Sequence, residues 1–130
     1  MTEEQILGVL EAKKRIHPEL RRPMTWNGLR RILAREDVAL IITEMAKREA
    51  QLVQFDGAWA ILLDSNASSR RYTYFGIHEL GHLWLHHDSA ADRSDRIYNM
   101  LDGPSRDTRE DDAELFAVYA LGGKLFQRIF

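Results

Sequence analysis

Hydrophobic positions follow a helical period at the start of the chain, a strand-like one in its middle and a helical one again towards its end. Ile6, Leu7, Leu10 and Ile16 form a partial stripe behind Thr2, which can cap a helix because Gln5 stands at the position a capping box requires. That helix should stop before Pro18, since proline cannot continue it. Thr25 is a second cap, leading into a short helix with Trp26, Leu29, Ile32 and Leu33 on its buried side. Val38 to Ile42 then reads as a buried strand, and the runs Leu52–Phe55 and Trp59–Leu63 flank Asp56-Gly57, a strong hairpin signal.

After Asp64, residues 65–69 supply turn and cap residues, and Arg70 to His87 contains no breaker except two glycines, so a central helix is expected there. Ser89 to Arg106 carries Gly103-Pro104 and many Asp, Arg and Ser residues, the composition of a long loop. A final helix begins at Asp107, with Ala113, Phe116, Ala117, Tyr119, Ala120 and Leu121 at helical spacing. Gly122-Gly123 breaks or kinks it before Leu125-Phe126-Ile129-Phe130. The expected fold class is α+β: a three-stranded sheet packed against the central helix and further helices. At 130 residues the chain fits a single domain spanning 1–130.

Composition narrows the chemistry more than the fold. Apolar residues are 45% and charged residues 29%, ordinary globular usage that excludes disordered, collagenous and coiled-coil classes. There is no cysteine, so disulfides and thiolate ligation are excluded and any metal must be held by imidazole and carboxylate. The longest apolar runs fall far short of the ~20 residues that span a bilayer, and the N-terminus lacks the basic start and apolar core of a secretory signal. The cytoplasm is the expected compartment.

The net charge of -2 hides an asymmetry. Lys13 to Arg35 holds eight Lys or Arg against one Glu, and Asp88 to Glu114 holds nine acidic residues against four arginines. Both runs read as solvated helix faces and a polar loop. The basic stretch also raises direct nucleic-acid binding, which the mildly acidic whole and the lack of any binding motif disfavour.

Four of the five histidines fall within His78-Glu79-Leu80-Gly81-His82-Leu83-Trp84-Leu85-His86-His87, which opens as His-Glu-x-x-His. Residues four apart share a helix face, so the two imidazoles of His78 and His82 can converge on one zinc ion. Glu79 lies ~100° round the helix, beside the metal rather than bound to it, where it can take a proton from the attacking water. Gly81 between the ligands would let another helix approach closely.

A third ligand must come from elsewhere. Asp88, six residues after His82, is where an aspartate-type metzincin would place it, but the glycine turn of those enzymes is replaced by Leu85. Glu110 in the last helix is the alternative, with Asp111 and Asp112 as neighbouring candidates and Glu114, one turn on, able to orient a histidine. His86 shares nearly the same face as His82, though a helix end also favours a histidine through the dipole. His17 and His87 read as surface residues. Tyr72, Tyr74 and Tyr98 could each stabilise an oxyanion.

With these motifs the chain resembles the ImmA/IrrE family of gluzincin-type metallopeptidases over about residues 38 to 121. Trp59 to Asp64 matches the family's strand, and Arg71-Tyr72 and Tyr74 match the approach to its helix. His78 to His86 matches His-Glu-Leu-Gly-His-x-x-x-His, and Glu110-x-x-Ala113-x-x-Phe116-Ala117 matches the downstream motif. The resemblance implies a gluzincin-like fold, zinc held by His78, His82 and Glu110, and Glu79 as catalytic acid/base. It also implies Trp59 to Asp64 as an edge strand beside the metal, and a specific protein substrate such as a helix-turn-helix repressor. An alternative within it is a non-proteolytic zinc-bound regulator that binds a repressor or antitoxin without cutting it. Phe75, Ile77 and Glu114 depart from the residues usual in the family, and Leu-Leu-Met-Pro is absent after Ala117. These changes leave the metal ligands untouched and bear on substrate and partner.

Overall fold

The computed structural model describes residues 1–46, 48–87, 96–97 and 106–122. Helix α1, Glu3–Ile16, starts at Thr2, whose hydroxyl accepts from the Gln5 backbone while the Gln5 side chain accepts from the Thr2 backbone, the expected capping box. It ends at Ile16, two residues before Pro18, which begins a short 3-10 turn, Pro18–Arg21, that the hydrophobic pattern does not announce. Ile6 and Leu10 are buried on its inner face, whereas Ile16, expected in the stripe, is exposed because the helix is ending there. Helix α2, Trp26–Arg35, is capped by the Thr25 hydroxyl, which accepts from the backbone N–H of Gly28, and it buries Leu29, Ile32 and Leu33.

The sheet contains β1 (Ala39–Thr43), β2 (Ala50–Phe55) and β3 (Ala58–Asp64), with β1 parallel and β2 antiparallel to β3. A two-residue strand β4, Arg96–Ile97, extends it beside Val53 and Gln54, giving the order β1-β3-β2-β4. The hairpin between β2 and β3 turns on Asp56 and Gly57, both at positive φ (52° and 81°), the two-residue geometry that Asp-Gly favours.

Two strand expectations are corrected. Val38 to Ile42 is not a buried strand: β1 lies at the sheet edge, with Ile41 and Ile42 45% and 46% exposed. Trp59 to Asp64 is not an edge strand: β3 is paired on both sides and buries Ile61 and Leu63. The run Val38 to Ile42 is apolar on every residue and so resembles a central strand, yet the parallel crossover places β1 outside β3 while the hairpin fills the other side.

Helix α3, Ser69–His86, packs on one face of β2 and β3, and helix α4, Arg106–Ala120, packs on α3. Ile77, Leu80, Leu83 and Trp84 are buried at the i, i+3, i+6 and i+7 positions, joining Leu52, Ile61 and Leu63 of the sheet and Leu29, Ile32 and Leu33 of α2 in one core. A Cβ on Gly81 would stand 3.1 Å from the Phe116 ring and 3.5 Å from the Ala113 Cα. The missing side chain therefore sets how closely α4 approaches α3. After α4, Gly122 adopts a φ of 91°, a left-handed cap in agreement with the expected break. The expected loop from Ser89 to Arg106 contains β4, and Asp88, Tyr98, Gly103-Pro104 and residues 123–130 lie outside the described residues.

Candidate metal centre

Helix α3 carries three histidines at i, i+4 and i+8, so His78, His82 and His86 form one row facing the first turns of α4. Neighbouring rings lie 4.9 Å and 5.4 Å apart. Two of the carboxylates of α4 divide the row between them. Glu110 takes the first two: its Oε2 lies 2.9 Å from His78 Nε2 and its Oε1 3.0 Å from His82 Nε2. Asp112 takes the third, with Oδ2 3.1 Å from His86 Nε2.

One ligand atom each from His78, His82 and Glu110 lies within 4.8 Å of the others, so the three side chains could hold a single metal ion. Two imidazoles and one carboxylate are the hard-to-borderline donor set of catalytic zinc sites, with room for a fourth ligand. His82 is buried, while Glu110 is half-buried and His78 lies between, so the group is reachable from one side. Burial alone would raise the Glu110 carboxyl, but hydrogen bonds from His78 and His82 outweigh it and hold the group well below the usual carboxylate range. For His82, burial outweighs the Glu110 hydrogen bond and lowers its proton affinity. For His78 the balance reverses, because burial is overcome by the Glu110 bond and by the charges of Glu79, Glu110 and Glu114. Glu110 is thus an anion facing one imidazole that favours its neutral form.

Glu79 points elsewhere, as its ~100° offset requires. It is only 4% exposed, hydrogen-bonded to the backbone of Leu52 on β2, and stands outside the three-residue group. Burial pushes its carboxyl up to about 8, helped by Glu110 and opposed by His78, Arg48 and the Leu52 hydrogen bond. The strand beside Glu79 is therefore β2.

Several expectations about neighbouring residues change. His17 is not a surface residue but completely buried, stacked on Trp84 at 5.6 Å, and His87 is buried beside Trp59. Asp111 is exposed. Glu114 is exposed and acts on His78 and Tyr74 through its charge rather than as a hydrogen-bonded orienting group. Tyr74 borders the site with its ring 5.8 Å from His78, and burial, then Glu114 and Glu110, push its hydroxyl up to about 12, so it keeps its proton. Tyr72 packs against Trp26 and donates to the Ser65 carbonyl instead. The pairing of His86 with Asp112 is the contact that sequence reasoning missed, although a third histidine at i+8 and consecutive acids in Glu110-Asp111-Asp112 were its signal.

The family model of the IrrE N-terminal-like domain, Peptidase M78, matches residues 33–121. This chain belongs to that family. No curated protein matches it. The matched span runs from the last three residues of α2 through the sheet, α3 and α4, so the IrrE N-terminal-like domain includes the whole histidine row and both carboxylates that face it, and leaves α1 outside. Membership makes a metallopeptidase-like chemistry the frame for the site. Among the described residues no helix is long and apolar enough to cross a membrane.

Proposed function

We propose that this protein is a zinc-dependent endopeptidase in which His78, His82 and Glu110 hold the metal and Glu79 is the general base. The observation that carries the reading is the convergence of two imidazole Nε2 atoms on the two oxygens of one half-buried carboxylate, with another carboxylate, that of Glu79, buried one residue after His78. When bound, zinc supplies a Lewis acid that polarises a peptide carbonyl and makes water a nucleophile at neutral pH. The chain's own residues do the rest. Glu79 receives the proton of the attacking water at its carboxylate and delivers it to the leaving amine. Its hydrogen bond to the β2 backbone fixes the carboxylate while doing so. Tyr74, held neutral, keeps a hydroxyl proton at the rim of the site.

The proposed substrate is a specific regulatory protein such as a small helix-turn-helix repressor, within the protein-substrate class that a peptidase family implies. The presence of Glu79 one residue after His78 favours cleavage over a regulator that binds without cutting.

Glu79→Gln separates these readings, because glutamine keeps the shape and spares the ligands but cannot act as a base. Zinc stoichiometry by elemental analysis should stay at one per chain, and cleavage of a partner recovered with the protein by pull-down should fall by about 10²–10⁴. Equal cleavage by mutant and wild type would remove Glu79 from the mechanism. Binding without cleavage by either would favour the non-proteolytic regulator.

A further inference from the structure

The row of histidines on α3 is longer than a metal needs. Only His78 and His82 reach Glu110, whereas His86 turns its Nε2 to Asp112 and its Nδ1 to His82 Nδ1, 3.3 Å away. The side chains of His82, His86 and Asp112 are all within a tenth of full burial, so water does not compete strongly for these bonds.

We propose that His86 and Asp112 are positioning residues for the metal centre: Asp112 fixes the proton of His86, and His86 in turn fixes the proton and aim of His82. The proposal rests on the reading of His78, His82 and Glu110 as ligands and extends it to the groups that make one ligand competent. The direction of the chain follows from donor and acceptor chemistry. An ionised carboxylate can only accept, so the proton on His86 sits on Nε2. A neutral imidazole carries one N–H, which leaves His86 Nδ1 as an acceptor. His82 must then donate from Nδ1, and its lone pair is left on Nε2, the atom that faces Glu110. With a cation in place of the proton between His82 and Glu110, both rings are neutral and each bond has one donor and one acceptor.

His78 lacks this support. Its buried Nδ1 has no hydrogen-bond partner among the described residues, so within them one of the two imidazoles, His82, is anchored through its far nitrogen and His78 is not. Asp112 is itself held from a second direction, its two oxygens each 3.4 Å from the Met1 α-amino group. Carboxylates that orient ligating histidines commonly act directly; in this fold Asp112 acts through an interposed ring.

The test is the zinc dissociation constant, measured on the whole chain by competition with a chromophoric chelator, together with the visible spectrum of the cobalt(II) form. His86→Phe should weaken zinc roughly 10–100-fold, the usual effect of removing such a group, and should change the cobalt spectrum. His86→Gln, which keeps an acceptor for His82 and a donor for Asp112, should recover part of the loss. Asp112→Asn, which keeps an acceptor but loses the charge, should fall between wild type and His86→Phe. The double variant His86→Phe/Asp112→Asn should bind no more weakly than His86→Phe alone, because both act through one chain of bonds. Zinc affinity of His86→Phe within about threefold of wild type, or independent losses that multiply in the double variant, would overturn the proposal while leaving the ligand assignment intact. A wild-type chain that takes up no zinc would overturn the ligand reading and this inference with it. Melting in chelator identifies any variant that is merely unfolded, and His86→Gln and Asp112→Asn then carry the test.

Discussion

Two polar clusters sit on opposite faces of α3, each built round a buried histidine. On one face His82 meets His78, Glu110 and, through His86, Asp112. On the other His17 lies against Trp84, accepts at Nδ1 from Arg35 Nη1 at 2.8 Å, and has its Nε2 3.3 Å from Glu36, too poorly aligned for a hydrogen bond. There each carboxylate has at least one cationic partner. Arg35 grips both oxygens of Glu19 at 2.9 Å, Arg31 joins them, and Glu36 accepts from the Trp84 indole with Lys13 nearby. In the first cluster the Glu110 carboxylate is shared by two imidazoles, and among the described residues no lysine or arginine pairs with it. Burial of a histidine is common to both, so burial does not mark the site. The mark is one carboxylate shared by two imidazoles, with no lysine or arginine paired to it among the described residues.

The contrast can be broken by exchanging the roles of the two histidines. His82→Ala should take zinc from one per chain to none by elemental analysis, since two remaining ligands do not make a stable site. His17→Ala should leave the zinc count unchanged and act on the fold instead. Emptying a completely buried ring site beside Trp84 and stranding Arg35 should cost about 2–4 kcal/mol, read as a lower urea midpoint. If His17→Ala lost the metal, or His82→Ala kept it, the two clusters would not differ as described.

The smallest effect tests how much the matched charges of the second cluster contribute. The Arg35 hydrogen bond outweighs burial, which raises the carboxyl, and holds Glu19 down at about 2. A carboxyl depressed in the folded state stabilises above its unfolded value, and that stability is lost as pH falls through the folded value. Glu19→Gln should therefore reduce stability by about 0.5–1 kcal/mol at pH 7, a modest figure because Arg35 is largely in water. The difference from wild type should vanish between about pH 4.5 and pH 2. Urea unfolding across that range checks it, and a difference independent of pH would assign the effect to packing.

How far the sequence reaches depends on whether a feature is local. Thr2 with Gln5, Thr25, Asp56-Gly57 and Gly122 specify their caps and turns within a few residues, and each is found where expected. The spacing of His78, Glu79 and His82 is likewise local, because one helix fixes it. The order of the strands is not: an apolar run such as Leu40-Ile41-Ile42 is compatible with centre or edge, and only the crossover decides. His17 looked exposed because nothing near it in sequence shows that Trp84 and Arg35 close over it. The division of Glu110 and Asp112 between three histidines depends on the depth and rotation of α4 against Gly81, a tertiary quantity with no short-range signature.

Because the row of imidazoles belongs to one helix and its acidic partners to another, a bound metal would close a ring of chain. His82 and Glu110 are 28 positions apart, and fixing the ends of a loop of that length removes conformational entropy worth on the order of 3 kcal/mol from the open chain. Metal would then work as a clasp on α4 as much as a reagent. Stripping it should release α4 as a unit with its own opening equilibrium, raising amide exchange along that helix while the hairpin of β2 and β3, closed by its own turn, stays protected.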